Sequence, residues 1–233
     1  MYNITLIATI HIESGKCNSE ELHKILEDIN PEMIFDELPS YAFDMYYGDS
    51  FEMCYTNSIL RNRLPPVVPL EVECIKKYKQ NRQTKIFPVD IDVSQNLSKQ
   101  DEMFMFHTFF KYEDYVKLDS ENRALIAQEG FHYLNSDKFL DYLAKKEVLE
   151  RSIMVSEIQK DRLLNIYKLF HTKQYDNREN GMLHNIYNYS KGNQYNQAVF
   201  LIGAEHKKSM MQKITEYDKL SEIKLNWTMY GNK

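Results

Sequence analysis

Two histidines stand at the same place in two copies of one local pattern. Leu6-Ile7-Ala8-Thr9-Ile10-His11 lies near the start of the chain, and Leu201-Ile202-Gly203-Ala204-Glu205-His206 near its end. In each, an apolar run meets a small residue, Ala8 or Gly203, and a histidine follows three positions later. A small residue at a strand end lets the chain turn sharply and brings backbone close to a ligand. Imidazole titrates near neutral pH, takes protons as a general base and ligates divalent metals. Carboxylates follow two other apolar runs: Glu37 after Met33-Ile34-Phe35-Asp36, and Asp90 after Ile86-Phe87-Pro88-Val89, with Asp92 beyond it. Two imidazoles and a carboxylate, His11, Glu37 and His206, suffice for either of two centres. They can hold a catalytic divalent metal (Mn, Co or Zn) with an open position. Equally, they can work without metal, Glu37 orienting the histidine that takes a proton from water.

A further cluster runs Arg178-Glu179-Asn180-Gly181-Met182-Leu183-His184-Asn185-Ile186. At helical spacing Arg178, Met182 and Asn185 share one face. An arginine aimed into a cleft fixes a carboxylate or steadies a developing oxyanion. Glu179 either holds that guanidinium or acts on its own. Asp90 and Asp92 point the same way in an extended chain, as a polar strand end or as part of the chemistry. Glu71 and Glu73 read as first-turn helix acids, favoured by the helix dipole.

Strands and helices must bring these residues together. Ile4 to Ala8 is a β-branched apolar run, and Asn18 to Ile29 carries Leu22, Ile25, Leu26 and Ile29 at helical spacing behind an Asn18/Glu21 capping signature. Asn30-Pro31 ends that helix, and Met33-Ile34-Phe35 starts a second strand. A helix between two short apolar strands implies parallel pairing by crossover. Helices are expected over residues 41–62 and 71–80, then a third strand from Lys85 to Asp90, at an edge or bulged because of Pro88. Residues 95–175 are polar, aromatic and rich in helix formers, a helical insertion between the halves. Ala198 to Ile202 is a strand, followed by His206, a helix with Met210, Met211 and Ile214, and a last strand over 223–229. Each end of the chain thus spells strand, histidine, helix, strand. The expected fold is one α/β domain over 1–233, its mostly parallel sheet built from two diverged halves. In such sheets ligands gather beyond the carboxyl ends of the strands, where His11, Glu37, Asp90 and His206 all fall.

The composition is 43% hydrophobic and 27% charged, enough to bury a core. A net charge of −5 offers no basic excess to displace counterions from phosphates, so nucleic acid is not an expected partner. Cys17, Cys54 and Cys74 form no CxxC pair, which suits a reducing compartment better than a disulfide framework. The first apolar run is far shorter than the roughly 20 residues of a membrane span, and no basic region precedes it. The expectation is a cytoplasmic protein that does not insert in membranes.

Taken together, the two small-x-x-His motifs, the strand-end Glu37 and the late helix with Arg178 and Glu179 resemble the TraB/Tiki and erythromycin esterase/ChaN-like superfamily. Arg178-Glu179 with Met182 and Asn185 is similar to the esterase-like branch, and IATIH followed by MIFDEL to the TraB branch. The resemblance covers residues 4–40, 84–93 and 176–230. It implies a duplicated α/β core with one shared pocket, and functional roles for His11, Glu37, Arg178 and His206. Members of that superfamily include proposed metal-dependent peptidases, esterases that use a histidine-activated water, and a haem-binding lipoprotein. Two functions follow as expectations. One is a hydrolase of peptide or ester bonds, acting on a small-molecule or peptide substrate, with Arg178 stabilising the oxyanion. The other is a non-catalytic protein that holds a small anionic ligand or a metal in the same pocket. No GxSxG elbow is present, which argues against a covalent serine route.

Overall fold

The two histidine-bearing strands lie side by side at the centre of one sheet. The structure is a computed structural model and describes residues 2–48, 68–92 and 97–231. Its strands are β1 (Tyr2–Thr9), β2 (Met33–Asp36), β3 (Lys85–Pro88), β4 (Gln197–Gly203) and β5 (Leu225–Met229). They pair in the order β3-β2-β4-β1-β5, and every pairing is parallel. The expected α/β class with a parallel sheet is therefore what the chain adopts.

Exchanging β1 with β4 and β2 with β5 leaves the order of those four strands unchanged, apart from reversal. The two halves are thus related by a pseudo-twofold running between β1 and β4. Helix α1 (Ser19–Ile29) carries the chain from β1 past β4 to β2, while the later helix Lys207–Leu220 carries it from β4 past β1 to β5. Right-handed crossovers in opposite directions put these two helices on opposite faces. The core divides accordingly. On one face Leu22 and Leu26 of α1 pack with Ile7, Ile34 and Val199; on the other, Met210 and Ile214 pack with Leu6, Phe35 and Phe200. Asn18 caps α1 by accepting from the Glu21 N–H, as its capping signature predicts. β3 is an edge strand, which leaves Pro88 without a ladder bond to lose.

Between the halves come α2 (Ser40–Tyr47), α3 (Leu70–Lys79), α4 (Lys99–Phe109), α5 (Glu113–Glu129), α6 (Phe131–Leu134), α7 (Asp137–Ser156) and α8 (Lys160–Phe170). A π-helical stretch, His171–Asn177, then leads directly into α9 (Arg178–Gly192), and Lys207–Leu220 is α10. The expected helix over 41–62 is seen as α2; its remainder from residue 49 lies outside the described residues. The third strand ends at Pro88 rather than Asp90. The helical insertion has its own core of Met105, Phe109, Ile153, Met154 and Leu163. It is tied to the sheet at Asn135, whose amide accepts from the Ala8 N–H at 2.8 Å and donates to the Ala8 carbonyl at 3.1 Å. β5 pairs with β1 only as far as Leu6, so Asn135 completes the ladder where that strand stops. Among the described residues no helix is long and apolar enough to cross a membrane.

Candidate active site

His11 follows β1 and His206 follows β4, so the parallel pairing of those strands delivers both rings to one rim of the sheet. The common point is Gly203. A Cβ there would lie 3.8 Å from His11 Nε2, 3.7 Å from His206 Cδ2 and 3.3 Å from Glu37 Oε2. A side chain there would be tight against the carboxylate alone, the two imidazole contacts being of ordinary van der Waals length.

Each imidazole has its Nδ1 against a buried glutamate. His206 Nδ1 is 2.8 Å from Glu179 Oε1, and His11 Nδ1 is 3.3 Å from Glu71 Oε1. The two glutamates come from corresponding places: Glu71 is the second residue of α3, and Glu179 the second of α9. Two glutamate–histidine dyads thus face one another across Gly203. Glu179 is fully buried and also accepts from the Ser209 hydroxyl at 2.6 Å and from Lys213 Nζ at 2.7 Å. Burial alone would raise its carboxyl, but His206, Lys213 and Ser209 outweigh that and hold it below the ordinary range. Glu71 accepts from the Thr9 hydroxyl at Oε1, while its Oε2 is buried with no hydrogen-bond partner among the described residues.

Glu37 stands between the dyads. Its Oε1 receives Arg178 Nη2 at 2.6 Å and lies 3.5 Å from His206 Nε2; its Oε2 accepts the Gly203 N–H. Arg178 also forks onto Asp90, through Nε at 3.1 Å and Nη2 at 2.8 Å. Among the described residues its Nη1 reaches only His206 Nε2, at 3.5 Å. Burial pushes the Glu37 carboxyl up, but the charges of His206, Arg178 and His11 prevail and hold it below the usual range. Burial works against the Arg178 charge too, and Asp90 and Glu37 reverse it.

The exposures of the two rings differ, and this decides which can meet substrate. The His206 side chain is 8% exposed, its ring 4.8 Å from that of Tyr175 and tilted by 47°, whereas that of His11 is 58% exposed. The Glu71 hydrogen bond raises the His11 pKa to about 9 against the opposing effect of burial, with the Glu71 and Glu37 charges acting the same way. Beside His11 a small cavity of about 20 Å³ is lined by His11, Asp36, Glu37 and Glu71. That is room for one water molecule, with polar partners on several sides. Asp36 lies below it, accepting from Tyr47 at 2.9 Å; burial, with the Glu71 charge, pushes its carboxyl up to about 7.

The predicted residues His11, Glu37, Asp90, Arg178, Glu179 and His206 are thus brought together, whereas Asp92 lies on exposed chain beyond them. Glu179 holds the second histidine, and the guanidinium it was considered for goes to Asp90 and Glu37 instead. Glu71 is the first-turn helix acid expected, and it is in addition 4% exposed and orients His11. The signal was in its spacing, since Cys74, Ile75 and Tyr78 follow it on the same buried helix face. Among the described residues, no three His, Cys, Asp or Glu side chains are placed to share one metal ion. A scan of family models finds no match for this chain, and neither curated proteins nor solved structures give one.

Proposed function

We propose that the chain is a hydrolase of ester or peptide bonds in which His11 activates water without a metal. The observation that carries this reading is the pair of opposed glutamate–histidine dyads around Gly203, one buried and one open to solvent. A carboxylate on Nδ1 fixes the imidazole so that Nε2 takes the proton, and stabilises the imidazolium that results. His11 Nε2 removes a proton from water, and the water oxygen attacks the carbonyl carbon. The resulting oxyanion is met by Arg178 Nη1, the one arm of that guanidinium not committed to a carboxylate. His11 Nε2–H then protonates the leaving oxygen or nitrogen as the carbonyl re-forms. His206, held by Glu179, positions Arg178 and Glu37 from the buried side. The resemblance to esterases with a histidine-activated water supports the same route.

The metal-held alternative, with His11, Glu37 and His206 as ligands, fits these residues poorly. Arg178 already places a positive charge 2.6 Å from Glu37 Oε1, and a divalent cation on that carboxylate would face it directly. The anion-binding reading is weaker because a pure anion binder would gain little from two carboxylates, Glu37 and Asp90, beside its arginine. Cys17 and Cys74, both buried free thiols, agree with a cytoplasmic, reducing setting.

A panel of p-nitrophenyl acyl esters and dye-labelled peptides, assayed in EDTA, tests the proposal. Turnover that survives EDTA and falls at least about a hundredfold in His11→Ala supports it, that being the usual scale of general base catalysis. Turnover that needs added manganese, cobalt or zinc would restore the metal reading.

A further inference from the structure

The two edges of the sheet are not alike. β3, at one edge, carries Lys85 at its start and Pro88 at its end, and both residue types blunt an edge against further pairing. β5, at the other, reads Leu225-Asn226-Trp227-Thr228-Met229, with no charge, no proline and no glycine. None of the residues that usually protect an edge stands in it.

The backbone of β5 shows what that edge offers. The Tyr230 N–H donates to the Leu6 carbonyl of β1 at 3.0 Å. Backbone groups of successive residues point to opposite sides of a strand, so Asn226 and Thr228 bond β1 as Tyr230 does. Leu225, Trp227 and Met229 therefore turn their N–H and C=O groups outward. Among the described residues these groups have no partner.

The side chains of β5 alternate. Leu225, Trp227 and Met229 lie on the face packed by α9 and α10, where Leu225 is buried but Trp227 and Met229 stay half-exposed. Asn226 and Thr228 are exposed on the other face, bonded to Asn3 and Thr5. Read outward from Trp227, the strand is the same in both directions: polar, then apolar. Such a strand is complementary to its own copy run antiparallel, which is what a twofold interface requires.

The outward backbone groups fit the same arrangement. Centring the pair on Trp227 sets Leu225 against the partner's Met229 and Trp227 against the partner's Trp227. Each such pair exchanges two backbone hydrogen bonds. On the packed face, apolar side chains then meet apolar ones and cover the half-exposed Trp227 and Met229. On the other face Asn226 meets the partner's Thr228. Charge agrees with this register, because the flanking Lys224 falls opposite the partner's Tyr230 and not opposite a second lysine.

We propose that the chain forms a twofold dimer through β5, a second copy extending the sheet edge to edge in the antiparallel register centred on Trp227. The interface is defined by the strand and stands independently of the hydrolase reading. It places the two carboxyl-end rims, each with its own dyads, at opposite ends of one continuous sheet.

Sedimentation equilibrium of the full chain at micromolar concentrations tests this, with paired variants at the two exposed positions. The parent is expected to be a dimer. Asn226→Lys/Thr228→Lys sets lysine against lysine twice across the twofold, and is expected to weaken association at least about tenfold. Asn226→Lys/Thr228→Glu sets lysine against glutamate instead and is expected to restore it, a rescue specific to this register. Circular dichroism is expected to stay that of the parent in both, since both side chains face solvent. A monomeric parent, association not weakened by the lysine pair, or no recovery with the lysine–glutamate pair would each overturn the proposal.

Discussion

The Gly203 N–H donates to Glu37 Oε2, and a Cβ on residue 203 would stand 3.3 Å from that same oxygen. The backbone thus holds the carboxylate by the very residue whose missing side chain makes room for it. Gly203→Ala is expected to shift Glu37 by a few tenths of an ångström against Arg178, with both imidazoles left at ordinary contact distance. The variant should lose activity through that shift while its stability stays within about 1 kcal/mol of the parent, because one contact alone is tight and alanine adopts the backbone angles of residue 203. Urea denaturation and ester turnover, measured on the same preparation, check the two halves of this statement.

Arg178 bridges two carboxylates that are nearly buried, Glu37 at 5% and Asp90 at 7% side-chain exposure. From sequence, an arginine that merely points into a pocket could be removed at little cost to folding. Here its removal strands two acids, and breaking such a buried pair costs about 3–5 kcal/mol. Arg178→Ala should therefore be destabilised strongly, and Arg178→Lys less so but still measurably, because lysine cannot reproduce the fork onto Asp90. Adding Glu37→Gln to Arg178→Ala should recover part of the loss. Chemical denaturation of the three variants at pH 7 is the measurement, and full stability in Arg178→Ala would contradict the bridge.

Glu179 links acid stability to the second dyad. Its carboxyl is held below the ordinary 4.5 by His206, Lys213 and Ser209, so its contribution is fully present above that value. The contribution is lost as the pH falls through the lowered native value. Glu179→Gln should cost about 1–3 kcal/mol at pH 7, the scale for losing a charged partner in a buried hydrogen-bond cluster. The difference from the parent should shrink towards pH 3. Denaturation curves across that range test it, and a difference that stayed constant would mean the carboxylate's charge is not what stabilises the fold.

Much of this was legible in the sequence, and the limits have physical causes. The strands around Ile4, Ile34 and Val199 are short apolar runs buried on both faces, which periodicity reads well. The matched strand–histidine–helix–strand units foretold the pairing of β1 with β4, and with it the meeting of His11 and His206. Glu179 was noticed beside Arg178, but its role was not assigned. As a first-turn acid favoured by the helix dipole, Glu71 carries no mark of a partnership with His11. Both glutamates nonetheless begin a buried helix face: Cys74, Ile75 and Tyr78 follow Glu71 at the spacings at which Met182, Leu183 and Ile186 follow Glu179. A carboxylate on the apolar face of a helix was the available clue. The cavity of about 320 Å³ among the helices of the insertion has no such signature. Its walls come from α4, α7, α8, the π-helical stretch and the start of α10, and no spacing rule anticipates the π-helical stretch.

The central claim is that His11, oriented by Glu71, takes the proton from water, and the pH–rate profile of ester hydrolysis in EDTA tests it most directly. Glu71 raises the His11 pKa to about 9, and only the neutral ring can act as a base. The protonated pair's contribution to stability is correspondingly full below the unfolded value of about 6.5 and lost as the pH rises through about 9, a small effect at so exposed a ring. The account predicts that kcat/KM of the parent rises with pH to a midpoint near 9, and that Glu71→Gln moves this midpoint down towards 6.5 while lowering the plateau. A midpoint unmoved by Glu71→Gln, or hydrolysis undiminished in His11→Ala, would contradict it.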